Sequence, residues 1–175
     1  MAVYSFEGKV PKIGEGTYIS ASADVIGDVT IGKRCFIGPG ARIKGDYGTI
    51  VIGDETSIQE NCILHARPGE TCRVGSRVTV GHGSILHTAD VRDNAVIGMG
   101  AIVSDYAVVE EWGVVGEGCV VRSRQVIPSE NIAVGVPAKI IGTIDGKYKE
   151  QWSRYKDIYA DLASRRYPEG LEKLE

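Results

Sequence analysis

The chain has no apolar stretch approaching the ~20 residues of a membrane helix, and its first residues, MAVYSFEGKVPK, lack the apolar core of a signal peptide. It also lacks a basic run, and its formal net charge is −3, which argues against nucleic acid or an anionic membrane as partners. A soluble, cytoplasmic protein is the expectation. Histidine is scarce: His65, His82 and His87 are the only three. What the chain has in excess is glycine, 23 of 175 residues, well above the roughly 7% average. Glycine is not at every third position, so a collagen-like repeat is excluded. The length suits one domain with a short appendage.

A different repeat is present. Aliphatic residues recur every six positions at Ile19, Val25, Ile31, Ile37 and Ile43, and after a slip of three at Ile52, Ile58 and Leu64. After a slip of four the count resumes at Val74, Val80 and Leu86, then loses one residue and runs from Val91 to Ile127 without a break. A small residue often stands four places after an anchor (Ala23, Cys35, Ala41, Cys62, Ala95, Ala101), and glycine often follows the anchor directly (Gly32, Gly38, Gly53, Gly75, Gly81, Gly98). A period of six fits neither an α-helix nor a long strand. It fits a triangular coil in which each hexapeptide forms one side and a corner, and rungs stack about 4.8 Å apart. Anchors and small residues fill the narrow interior, and glycine is expected to supply the corner dihedrals. The anchors amount to about six rungs. This pattern, over roughly residues 10–142, resembles the hexapeptide-repeat proteins, which implies a left-handed parallel β-helix and commonly a trimer.

The four cysteines fall on the same ruler. Cys35, Cys62 and Cys119 each follow an anchor by four, and Cys72 takes the equivalent slot two before Val74. They read as apolar fillers of the core, since paired metal or disulfide spacing is absent. The expected division is 1–142 as the β-helix and 143–175 as its appendage, a C-terminal helix and tail. In the latter Tyr148, Trp152, Tyr155, Tyr159 and Leu162 step by three or four, with Lys149, Glu150, Arg154, Lys156 and Asp161 on the opposite face. Asp145-Gly146 reads as the turn before this helix, and Pro168 as lying beyond its end.

On the triangular coil His65 and His87 each follow an anchor of the same side, Leu64 and Leu86, so they share a column one rung apart. That spacing suits two imidazoles on one tetrahedral metal with bonds of about 2.0–2.1 Å. His82 belongs to another side and can complete such a site only from a neighbouring subunit of a three-fold trimer. Three ordinary surface histidines are the competing reading. Gln59 lies one rung from His82 on the same side, and Asp46 sits at the three-residue slip, where a solvated turn is the plain reading.

The segments IGDVTIG, IKGDYG, SIQENCILH, VTVGHGSILH, VIGMGAIV and GVPAK together resemble the γ-class carbonic anhydrases. The resemblance implies reversible hydration of CO₂ to bicarbonate by a lyase. It also implies a Zn²⁺ ion (or Fe²⁺ or Co²⁺) held by His65, His87 and a neighbour's His82 in a homotrimer. Gln59 then corresponds to the family's glutamine near the reacting water, and Asp46 to its interface aspartate. The family's arginine in the IRGD motif is Lys44 here, and a lysine lacks the bidentate fork with which that arginine meets the aspartate across the interface. The acidic loop of the best-characterised branch is reduced to Pro68–Thr71, leaving Glu70 or Glu60 as candidate bases. Three other functions stay open. One is metal-dependent thioester hydrolysis, as proposed for small relatives in phenylacetate and carnitine metabolism. The others are hexapeptide acyl transfer, to which GVPAK is also similar, and a non-catalytic metal-binding trimer.

Overall fold

The computed structural model describes residues 2–174. Short strands, mostly of two to four residues and nearly all paired in parallel, wind into a left-handed β-helix of about seven turns. The six-residue anchors stand in three columns, one for each face of the prism. Ile52, Val74, Val91, Val109 and Ile127 stack on face a. Ile19, Ile37, Ile58, Val80, Ile97 and Val115 stack on face b. Face c carries Ile43, Leu64, Leu86, Val103 and Val121. All of these side chains are buried in one continuous core. Each fully buried Ile or Leu contributes about 1.5–3 kcal/mol relative to exposure, so the columns are the main stabilising element. The four cysteines are buried free thiols in the same core, as their slots require.

The solenoid is one turn longer than six because weakly apolar rungs cap both ends. Lys12–Ile13 pairs with Thr30–Ile31 ahead of the first anchor, and Asn131–Val134 extends face b with the small Ala133 in the anchor position. Glycine plays two roles rather than one. At the b-to-c corner Gly83, Gly100 and Gly118 adopt left-handed φ values, as expected. At the a-to-b corner, however, most of the left-handed residues are not glycine, among them Arg34, Glu55, Arg77, Asn94 and Trp112. The glycines that directly follow anchors serve close rung stacking instead. A Cβ on Gly98 would lie 2.6 Å from Glu117 N and Gly116 C of the next rung.

All three phase slips of the ruler lie at one corner, between faces c and a. The three-residue slip is absorbed within the long strand Arg42–Ile52, whose pairing with Asp24–Ile31 shifts between Gly27 and Val29. The four-residue slip is the loop Arg67–Glu70, closed by Glu70 N–H donating to the Arg67 carbonyl at 3.0 Å. The one-residue deletion falls at Thr88, which takes a left-handed φ of 47°. Irregular backbone therefore collects beside the column that carries His65 and His87.

Helix α1 spans Gly146–Asp161 and is capped by Asp145, whose Oδ1 accepts from Tyr148 N at 2.8 Å. It runs along face b. Tyr148 and Trp152 pack with Val96, Val114 and Ile144. Near its other end Tyr159 meets Phe36 edge-on at 5.4 Å between centroids. Two sequence expectations need correction. α1 itself ends at Asp161, ahead of Pro168, but the helical backbone runs on through the proline: a single π-turn, Leu162–Arg166, leads into α2, Tyr167–Gly170, where proline is tolerated in the first turn. Lys156 does not belong to a solvated face. It is 1% exposed, with Nζ donating to Thr79 Oγ1 and the Ala95 carbonyl, both at 3.3 Å, and lying 5.6 Å from the Trp152 ring centroid. Among the described residues no helix is long and apolar enough to cross a membrane.

Candidate metal centre

The strands Ile63–His65 and Ile85–His87 pair in register, which sets His65 opposite His87 on adjacent rungs at the edge of face c. Lys44 precedes them in the same column. Period-two alternation explains the placement: Leu64 and Leu86 point into the core, so the next residue on each strand points out. The two rings lie 5.2 Å apart between centroids, with His65 Nδ1 facing His87 Nε2 at 3.2 Å.

The outer nitrogen of each ring meets a carboxylate. His65 Nε2 donates to Asp46 Oδ1 at 2.8 Å, and Lys44 Nζ holds Asp46 Oδ2 at 2.9 Å. Burial pushes the Asp46 carboxyl up, but the Lys44 and His65 contacts outweigh it and hold the group down at about 2. His87 Nδ1 donates to Asp105 Oδ1, and Arg67 donates to Asp105 Oδ2 through Nε at 2.8 Å and Nη2 at 2.6 Å. The Arg67 guanidinium beside Asp105 is the main cause that holds its carboxyl below the ordinary aspartate value. Ionised carboxylates only accept hydrogen bonds, so the ring protons sit on His65 Nε2 and His87 Nδ1. The inner nitrogens, His65 Nδ1 and His87 Nε2, face each other across 3.2 Å, a spacing that either a shared proton or a metal ion between them satisfies. Two ligands of a tetrahedral ion with metal–nitrogen bonds of 2.0–2.1 Å stand about 3.3 Å apart. The observed separation and the imidazole nitrogens both fit a zinc-type ion.

His82 stands at the other edge of face c, on the turn after Thr79–Val80. Its Nδ1 is bonded to Glu60 Oε2, leaving Nε2 free on a side chain that is 47% exposed. Among the described residues, no group of three or more His, Cys, Asp or Glu side chains is placed to hold a metal within one chain. The chain alone thus brings together His65, His87, Asp46 and Lys44, and leaves His82 and Glu60 apart. Asp46 is no solvated turn residue, since it lies within a strand with its side chain 15% exposed. Lys44 reaches Asp46 inside its own chain, whereas the resemblance implied a contact across subunits.

Gln59 is buried at 6% and borders a cavity of about 450 Å³ between α1 and face b. His82, Val96, Val114, Trp152 and Tyr155 also line it. Tyr47 is exposed beside the paired histidines, its ring centroid 6.2 Å from that of His65. Sequence reasoning missed Asp105 and Arg67. Neither occupies the histidine column, and the one available signal was that both flank the corner where the ruler slips.

A family model for bacterial transferase hexapeptide proteins (six repeats) matches residues 11–45. A carbonic anhydrase of Geobacillus kaustophilus is 40% identical over 159 residues, covering 91% of this chain and 87% of that protein. The chain belongs to the γ-class carbonic anhydrase family of hexapeptide-repeat proteins. Relatives under a different name match over nearly the same span. The carnitine operon protein CaiE of Citrobacter koseri is 36% identical over 166 residues, covering 94% of this chain and 84% of that one. Among solved structures, a hexapeptide transferase family protein from Anaplasma phagocytophilum matches with a TM-score of 0.89 and 31% identity, over 93% of this chain and 96% of that one.

Proposed function

We propose that the protein is a zinc-dependent γ-class carbonic anhydrase whose site is completed between subunits of a homotrimer. The observation that carries this reading is the pair of facing ring nitrogens, His65 Nδ1 and His87 Nε2, each ring held by a carboxylate on its far side. His65 and His87 of one subunit, with His82 of the next, would hold the ion (Zn²⁺, or Fe²⁺ or Co²⁺). When bound, it supplies hydroxide at neutral pH. The remaining work falls to the protein. Asp46, Asp105 and Glu60 keep the outer ring protons in place, which orients all three imidazoles and raises their basicity. Gln59 offers a neutral amide that can orient the reacting oxygen without competing for its proton. The exposed carboxylate of Glu70, in the loop at the same corner, takes the proton released on hydration toward solvent.

A second reading rests on the apolar cavity beside His82 and Gln59. It has room for an acyl group, so the same centre would also serve thioester hydrolysis. Metal analysis combined with stopped-flow CO₂ hydration and an acyl-CoA hydrolysis panel, all on one preparation, separates these readings. The carbonic anhydrase reading predicts close to one ion per chain and CO₂ hydration that a chelator abolishes. Metal-dependent thioester hydrolysis without CO₂ hydration would favour the second reading. A metal-free trimer purified from metal-replete medium would sink both.

A further inference from the structure

We propose that Asp105, clamped by Arg67, selects which ring nitrogen His87 presents to the metal, which makes the two residues a positioning pair. This rests on the metal reading and adds to it a pair that acts through the ligand rather than on substrate. The hydrogen bonds run in one direction only. Arg67 offers two N–H groups to Asp105 Oδ2, and His87 Nδ1 meets Oδ1. A guanidinium cannot accept and an arginine-paired carboxylate cannot donate, so the His87 proton is pinned to Nδ1 and the Nε2 lone pair points at His65. The clamp is itself anchored to the site. Arg67 N–H donates to Thr88 Oγ1 at 2.9 Å, and Thr88 N–H donates to the His65 carbonyl at 3.0 Å. The loop created by the four-residue slip is thereby tied to the strand ends that carry both histidines.

The arrangement makes an unusual demand of asparagine at this position. Arg67 would force the amide oxygen of Asp105→Asn toward itself, which turns the NH₂ group to His87 Nδ1. The ring proton must then move to Nε2, where it faces the metal. Remove the guanidinium, and the amide is free to turn its oxygen back to His87. Zn²⁺ affinity, measured by chelator competition on the trimer, should therefore fall about 10–100-fold in Asp105→Asn, the range typical of lost outer partners. Arg67→Met should lose less, and Arg67→Met/Asp105→Asn should bind more tightly than Asp105→Asn alone. A purely structural role would make the double variant the weakest of the three. Nitrogen-15 NMR of the metal-free wild-type trimer gives a readout that needs no variant, with the His87 proton expected on Nδ1.

Three results overturn the proposal: a His87 proton on Nε2, unchanged Zn²⁺ affinity in Asp105→Asn, or a double variant weaker than Asp105→Asn. Wild-type trimer that takes up neither Zn²⁺ nor Co²⁺ would instead overturn the metal reading beneath it.

Discussion

Under the proposed function, replacing His87 by alanine is expected to remove bound metal and lower CO₂ hydration by on the order of 10³-fold or more, because the ion that would supply the nucleophile is lost. The fold should survive. His87 projects outward with its side chain 37% exposed, while the neighbouring anchor Leu86 keeps its place in the core. The substitution leaves His65 Nδ1 without the partner that faces it and frees Asp105 from the ring it orients. Metal content, activity and sedimentation of the variant should therefore diverge: no metal, no hydration, an unchanged trimer. A variant that keeps its metal would show that the facing nitrogens are not ligands.

The second large effect concerns stability. Lys156→Met is expected to stabilise the fold by roughly 1–3 kcal/mol at pH 7–8, since a methionine of similar length needs no partner in this setting. Burial, reinforced by the charge of Arg77, pushes the Lys156 amine down to about 7 from 10.5. Arg77 is itself paired with Glu55 and Asp157, so no free anion compensates the ammonium. The unfolded chain holds this proton up to about 10.5 and the folded chain only to about 7, so over that interval the unfolded state binds more protons. Stability must then rise with pH from about 7, until ionisation of the thiols in the unfolded chain opposes it. Burial raises Cys35, Cys62 and Cys72 to about 11 from 9.0, so their contribution is lost as pH climbs past 9. Thermal denaturation between pH 7 and 9 should show a rising Tm in wild type and a flat, higher Tm in the variant. Equal slopes in the two proteins would show that Lys156 is not the group responsible.

The β-helix and its anchor columns were legible because a six-residue period allows one geometry and every anchor obeys it. The shared column of His65 and His87 followed from the same counting, since both sit one place after a face-c anchor. Lys156 was illegible for the opposite reason. Charge places a lysine outside, and only the packed helix shows its alkyl stem and amine enclosed between face b and Trp152. Pro168 misled because a π-turn, which has no sequence signature here, resets the helix ahead of it. Asp105 and Arg67 escaped because the contact between them spans 38 positions and crosses the slipped corner, where the ruler no longer predicts neighbours. The slips themselves were visible, and they mark the corner of the site.

The proposed site joins His65 and His87 of one subunit to His82 of the next. Co-expression of differently tagged His82→Ala and His87→Ala chains, with purification of doubly tagged mixed trimers, tests it most directly. Each parent homotrimer should be metal-free and inactive. In a cyclic mixed trimer one interface in three pairs an intact His82 with an intact His65–His87 column, so metal content and CO₂ hydration should return to about one third of wild type. Mixed trimers as inactive as their parents, or a His82→Ala homotrimer that keeps its full metal complement, would contradict the shared site.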